Sequence, residues 1–311
     1  MSAIGKLVRP SSIAVIGASA DPTKMTGRPV GYLQKHGFAG AIWPVNPRAS
    51  SIAGLPCYAD VAALPAAPDV GIVLVGPDRA EQAVRDLAAR GAAAAIVLAS
   101  GYGEASPEGA ARQLALRQAA GSMRLLGPNT IGLVNLTDGI MLSASGALEV
   151  EGLPPGRVSL VSQSGGILGS LLSRAADRGI GFAKLVSTGN EADLDSADFI
   201  EHLLDDDATA VIAVYMEGLR RPGAFRRAAL RAAALGKPIV VFKVGRSESG
   251  GRAAASHTGA MAGADRMYDA FFRQLGVIRA ETFADLLDIP GALACGRRAA
   301  GRRVAILTST G

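Results

Sequence analysis

Short apolar runs alternate with helical stretches along almost the whole chain, and this rhythm constrains the fold more than any other feature. SIAVIG (12–17), AIWPV (41–45), DVGIVLV (69–75), AAAIVL (93–98) and MRLL (123–126) have the length and apolar continuity of strands buried on both faces. Between them, 29–36, 79–90 and 107–119 have helical composition and spacing. Strands joined by crossovers of this length form a parallel sheet with helices on both sides, and right-handed crossovers make it a Rossmann-like α/β unit. The clearest break is Leu153-Pro154-Pro155-Gly156, after which the alternation restarts. Strands are expected at 157–161, 184–187, 210–215 and 238–244, and helices at 165–178, 196–204 and 223–235. This spacing suits a flavodoxin-like strand order.

The 311 residues are enough for two domains. With Pro10, Pro154 and 295–301 as boundaries, the expected division is a first domain at 1–150 and a second at 156–297. RVSLVSQSG (157–165) is echoed by RVAILTSTG (303–311), so 302–311 is expected to be the first strand of a third domain, cut from a longer enzyme.

Composition removes several function classes. Cys57 and Cys295 are the only cysteines, far apart, which excludes a disulfide scaffold and a cysteine zinc site and fits a reducing, cytoplasmic setting. No apolar run approaches the ~20 residues of a membrane span, and 1–10 lacks the apolar stretch of a secretory leader. The net charge of +5 comes from scattered arginines, and with 5% aromatic residues there is no stacking platform for single strands; nucleic acid is not an expected partner.

Three loops carry the chemistry. The first strand ends in Gly17-Ala18-Ser19, placing backbone N–H groups where a phosphate can sit. It is not a dinucleotide fingerprint, because Ser19 and Pro22 stand where glycines would be needed. The second strand ends in Asn46-Pro47-Arg48 instead of an acid; Lys24 and Arg48 suit an extra phosphate, so a phosphorylated adenosine carrier fits better than NAD. An ordinary βα turn accounts for the same glycine. The second loop, Ser162-Gln163-Ser164-Gly165-Gly166, reads as an anion cradle at a helix start; Ser162 replaces the glycine of a hydrolase elbow. The third is Ser256-His257-Thr258-Gly259, glycine-rich and on the carboxyl side of a strand. His36 and His202 read as structural or solvated, whereas His257 has the context of chemistry. Glu217, just past a strand end, could hold one imidazole nitrogen and leave the other nucleophilic, although an acid near a helix start is an alternative. Glu191, Asp193, Asp195 and Asp198 are read as caps and first-turn acids, not as metal ligands.

Taken together, VIGASADPTKMTG (15–27), VNPR (45–48), GPN (127–129), SQSGG (162–166), STGNEADLD (187–195), YMEG (215–218), KVGRS (243–247) and SHTGAMAG (256–263) resemble the α half of the nucleoside-diphosphate-forming acyl-CoA synthetases, relatives of succinyl-CoA synthetase. The resemblance implies a CoA-binding Rossmann-like domain followed by a flavodoxin-like parallel-sheet domain. It implies a phosphorylated histidine at His257 oriented by Glu217, and a phosphate seat at Ser164, Gly165 and Gly166, with Ser256 beside the histidine. Gly17, Ser19, Lys24, Arg48, Pro128 and Asn129 are expected at coenzyme A. The implied reaction is acid + CoA + ATP giving acyl-CoA, ADP and phosphate through an acyl phosphate. Its substrate would be a small carboxylic acid, and an oligomer is expected. Two departures stand out: Thr130 follows GPN where many members carry Cys, and nothing resembles an ATP-grasp module. ATP, ADP and Mg2+ would therefore be handled by a partner domain or β subunit. Two alternatives are a non-catalytic CoA-binding sensor or scaffold and a Rossmann oxidoreductase.

Overall fold

The computed structural model describes residues 1–150, 152–245, 265–296, 301–303 and 305–309. A short helix, α1 (Ala3–Val8), leads into β1 (Ser12–Ile16). Then come α2 (Arg28–Lys35), β2 (Ala41–Val45), a small hairpin of β3 (Ser51–Ile52) and β4 (Leu55–Pro56), and β5 (Val70–Val73). The unit continues with α3 (Pro77–Arg90), β6 (Ala94–Val97), α4 (Pro107–Ala120) and β7 (Arg124–Leu126). β1, β2, β5, β6 and β7 form a parallel sheet in the order β2-β1-β5-β6-β7. Both faces of β5 and β6 are buried, which is why those runs are continuously apolar. The alanine richness has a packing role: Ala80, Ala83, Ala119 and Ala120 are buried where helices press on this sheet.

The second half restarts as expected. β10 (Pro155–Ser162), α5 (Gly165–Asp177), β11 (Phe182–Ser187), α6 (Ser196–Leu204), β12 (Val211–Met216), α7 (Pro222–Leu235) and β13 (Ile239–Lys243) follow one another. α8 (Asp265–Leu275), β14 (Ile278–Arg279) and α9 (Asp285–Ala294) complete the unit. Its sheet runs β14-β13-β12-β10-β11, parallel throughout, so the two halves share one winding order, the flavodoxin-like 2-1-3-4-5.

One expectation is corrected. The segment after β7 was allotted to the first domain up to residue 150, but β8 (Gly132–Asn135) and β9 (Ile140–Ser143) join the second sheet. β8 pairs antiparallel with β11 (Leu185 opposite Val134) and β9 pairs antiparallel with β8. All eight residues of these strands are buried, because α2 of the first unit covers the hairpin through Tyr32, which clusters with Val134 and Met141. The sheet-to-sheet change therefore falls at 127–132, well before the Pro154-Pro155 break. At the other end, the expected strand at 302–311 is not formed among its described residues: 305–308 pair with no strand, and Ile306 and Leu307 are exposed. A strand needs a neighbour to satisfy its backbone groups, and the described residues offer this segment none.

The two units are sewn together by backbone hydrogen bonds. Asn190 N donates to Pro128 O (2.9 Å), Ala192 N to Gly127 O (3.0 Å) and Leu194 N to Leu125 O (3.1 Å). The loop leaving β11 thus runs along the loop leaving β7. Among the described residues no helix is long and apolar enough to cross a membrane.

Candidate functional site

In a sheet wound 2-1-3, the crossovers leave β1 in opposite directions, and a crevice opens at its carboxyl end. That crevice is present as a cleft of about 770 Å³ lined by the ends of β1, β2 and β5. Gly17, Ser19, Lys24 and Arg48 all line it. Gly17 is at φ +80°, and a Cβ there would lie 2.7 Å from Val75 Cγ1, so the turn requires glycine. Ser19 Oγ accepts from Asp21 N (3.1 Å), and Ser19 N is used by Thr26 O (3.1 Å). Asn46 explains its own position: its side-chain amide donates to Ala18 O (2.8 Å) and accepts from Arg48 N (2.9 Å), tying the two cationic loops together. Lys24 stands 3.8 Å from Asp21 at the rim. Asp60, Asp78, Arg79, Gln82 and Asp86 form the opposite wall, and sequence reasoning missed them. The available signal was Gly76-Pro77, the start of α3 at the end of β5.

Pro128 and Asn129 do not line this cleft; they sit at the seam. Asn129, at φ +57°, donates from its backbone to Ala99 O (2.8 Å) and from its side chain to Asn190 Oδ1 (3.2 Å). Asn190 donates in turn to Glu104 and to Gln113 Oε1 (2.9 Å). Burial acts to raise the Glu104 carboxyl, but the bonds from Asn190 and the Gly101 N–H outweigh it, and the net shift is downward. Thr130, the departure from cysteine, has a structural use: its hydroxyl donates to Ser187 O (2.5 Å) and accepts from Gly132 N (2.9 Å). A thiol would make both bonds weakly.

The second constellation lies at the carboxyl ends of β10, β11 and β12. Ser164 is the N-cap of α5 but makes no side-chain cap bond, so its side chain leaves the first-turn N–H groups of a thirteen-residue helix uncapped. A Cβ on Gly166 would meet no atom within 4 Å, so the space before the helix start is open. Ser162 Oγ accepts from Ser164 N (3.2 Å) and donates to Ser164 O (2.7 Å), which fixes the turn. Glu217 follows β12 directly and is 7% exposed. The alternative reading as a first-turn acid fails on geometry, because α7 begins five residues later with Arg221 at its N-cap. His257 and Ser256 lie outside the described residues.

The four acids of 191–198 act as structural groups, though not all as read. Asp195 is the N-cap of α6, in a reciprocal capping box with Asp198, and Arg221 grips it with a two-pronged bond (2.5 and 2.6 Å). Asp195→Ala should therefore lower stability by about 1–2 kcal/mol, read as a lower midpoint in urea; an unchanged midpoint would contradict the capping role. Asp193 accepts from Leu125 N (2.9 Å) and Arg124 (2.8 Å) across the seam. Glu191 is no helix acid: at φ +54° it is fully buried, and burial pushes its carboxyl pKa up against the bonds from Ser196, Gln163 and Thr188. His36 caps α2 and contacts Leu148 O (3.0 Å). His202, expected to be structural or solvated, is half-buried near Lys184 and Asp206, and desolvation pushes its pKa down.

Comparison with known proteins agrees with this two-part layout. The family described as CoA binding domain matches residues 11–135, and the succinyl-CoA ligase like flavodoxin domain matches 155–293. The chain is 38% identical over 308 residues to the acetate–CoA ligase [ADP-forming] I of Archaeoglobus fulgidus, covering 98% of itself and 44% of that protein. It is 36% identical over 311 residues to the α subunit of acetate–CoA ligase [ADP-forming] I of Pyrococcus furiosus, covering 98% of itself and 66% of that subunit. The chain belongs to the ADP-forming acyl-CoA synthetases. Within that superfamily, shared with succinyl-CoA synthetase, it is α-subunit-like. A solved synthetase from Ca. Korarchaeum cryptofilum, a dinucleotide forming acetyl-coenzyme A synthetase 1 in complex with phosphate and ADP, superposes with a TM-score of 0.88 at 35% identity. That match covers 94% of this chain and 62% of the other. The chain thus spans between about half and two thirds of the synthetases and subunits it matches.

Proposed function

We propose that the chain is the CoA-binding and phosphohistidine-bearing part of an ADP-forming acid–CoA ligase, completed by an ATP-grasp domain or β subunit. The observation that carries this reading is the seam: it ties the end of β7 to the loop after β11, between a cationic cleft on one sheet and an uncapped helix start on the other. In the ligation direction, a histidine nitrogen of His257 attacks the γ-phosphorus of ATP and ADP leaves. An oxygen of the carboxylic acid then takes the phosphoryl group, freeing His257 and forming an acyl phosphate. The CoA thiolate attacks the acyl carbon, and inorganic phosphate departs from α5. Glu217 holds the other imidazole nitrogen and stabilises the charge that develops on the ring. Ser164, Gly165 and Gly166 supply N–H donors and the helix dipole to the phosphoryl oxygens, with Ser256 as a hydroxyl donor. Gly17 and Ser19 let the CoA backbone approach β1, Lys24 and Arg48 meet its phosphates, and Pro128 and Asn129 guide the thiol end. Mg2+ would arrive with ATP on the partner.

Two measurements test this function. Coenzyme A should raise the melting temperature, because a ligand at a hundred times its Kd adds about 2.7 kcal/mol to the folded state. Arg48→Glu should remove more than half of that rise and make the remainder more sensitive to salt. No rise at millimolar CoA would contradict the cleft assignment. The second measurement, phosphoryl transfer to His257, separates the ligase from a non-catalytic CoA sensor and is taken up in the Discussion.

A further inference from the structure

Gln163 sits in the middle of the phosphate loop, where only its neighbours Ser162 and Ser164 face the helix start, and its side chain reaches sideways to the next strand. Its Oε1 accepts from Glu217 N (2.6 Å) and Gly218 N (3.0 Å), and its Nε2 donates to Gly218 O (2.9 Å). Its backbone N–H donates to Tyr215 O (3.2 Å). The same side chain also hydrogen-bonds Glu191. An amide has two donors and two acceptor lone pairs, and these bonds engage both ends of it, so its orientation is determined. Behind it, Glu191 is held by Ser196 N (3.0 Å), Ser196 Oγ (2.5 Å) and Thr188 Oγ1 (2.9 Å). The far side of the Glu217 turn is tied to the same loop, with Arg220 3.8 Å from Glu191 and Arg221 on Asp195 and Asp198. Nothing else in the printed geometry of this turn joins it directly to the start of α5.

We propose that Gln163 is a positioning residue that holds the Glu217 turn in register with the phosphate seat at α5, braced by the buried Glu191. This rests on the reading of Glu217 as the acid that orients His257. Through Gln163, a shift of the α5 start or of the loop after β11 is transmitted to the Glu217 backbone. Misplacing a reacting group by an ångström costs up to a hundredfold in rate, so the clamp has kinetic consequences.

The test uses the chain together with its ATP-grasp partner and follows single-turnover phosphorylation of His257 by labelled ATP between pH 5.5 and 8.5. Gln163→Leu should slow phosphorylation about ten- to hundredfold while leaving the CoA-induced melting shift intact, since the CoA cleft is on the other sheet. Gln163→Glu carries the sharper signature. Its carboxylate still accepts from the two N–H groups but cannot donate to Gly218 O, and it confronts Glu191. Only the protonated form donates, so its rate should recover as pH falls, a rise the wild type lacks. Should Gln163→Leu lose the CoA shift and prove unfolded, the Gln163→Glu profile decides alone. Wild-type rates in Gln163→Leu, or a Gln163→Glu profile parallel to wild type, would overturn the proposal. Glu217→Gln in the same assay separates the layers. If it is slow while Gln163→Leu is normal, only the role of Gln163 falls. If Glu217→Gln is as fast as wild type, the underlying reading falls with it.

Discussion

Gly189→Ala should lower the melting temperature by roughly 10 °C and the rate of acyl-CoA formation by more than tenfold. Gly189 is at φ +58°, where a side chain costs about 1–3 kcal/mol by itself. An added Cβ would also fall inside van der Waals distance of the Pro128 carbonyl oxygen and within 2.7 Å of the Asn129 oxygen. Both neighbours are backbone atoms, and they cannot yield without moving the seam. Asn190 N bonds Pro128 O, and the Asn190 side chain gathers Asn129, Glu104 and Gln113. Relief of the clash therefore pushes the loop after β7 away from the loop after β11. A total near 3 kcal/mol follows from strain plus overpacking, and at this chain size each kcal/mol is worth about 2–4 °C. Calorimetry of the purified chain measures the stability term, and steady-state assay with the ATP-grasp partner measures the second. A melting temperature within a degree of wild type would show that the seam tolerates opening there. The tenfold rate loss further requires that CoA and phosphate ends be held in fixed relation.

The residues most legible from sequence were those whose role is local. The alternation of apolar runs with helices yields both sheets because a doubly buried parallel strand has to be apolar along its length, as Val70–Val73 and Ala94–Val97 are. Asp195 was readable as a helix start because its capping box with Asp198 spans only three residues. The Gly165-Gly166 start of α5 was readable for the same reason. What was missed depends on partners far along the chain. Gly132–Asn135 and Ile140–Ser143 carry no mark of the sheet they join; their placement is set by β11 and by Tyr32 on α2, and no Gly or Pro cluster separates β7 from β8. Glu191 reads as one more acid ahead of α6, yet it is buried because Gln163, Thr188 and Ser196 converge on it from separate segments. Gln163 itself was hidden between two serines and two glycines whose phosphate role was easier to see. The cleft shows the same divide: Gly17, Ser19, Lys24 and Arg48 belong to the strand ends that sequence identifies, whereas Asp60 and Gln82 reach it only through the winding of the sheet.

The central claim is that His257 carries the phosphoryl group between nucleotide and acid. Its expected effect is the largest, because no other histidine is placed to substitute. His36 is engaged with Leu148 O at the end of α2, and His202 is half-buried against α6 and Lys184, both away from α5. A phosphoramidate is acid-labile and base-stable, whereas phosphoserine is the reverse, so the chemistry of the label identifies the residue type even with Ser162, Ser164 and Ser256 nearby. Losing a covalent nucleophile removes the two-step route altogether, and the expected loss is more than a thousandfold, about 4 kcal/mol of barrier or more. CoA binding should survive, since the cleft between β1, β2 and β5 does not include this loop. The decisive measurement is incubation of the chain and its ATP-grasp partner with labelled ATP and Mg2+, followed by acid and base treatment of the labelled protein. The account predicts a base-stable, acid-labile phosphate on the wild type and none on His257→Ala, with an unchanged CoA-induced melting shift in both. Equal labelling of His257→Ala would contradict it.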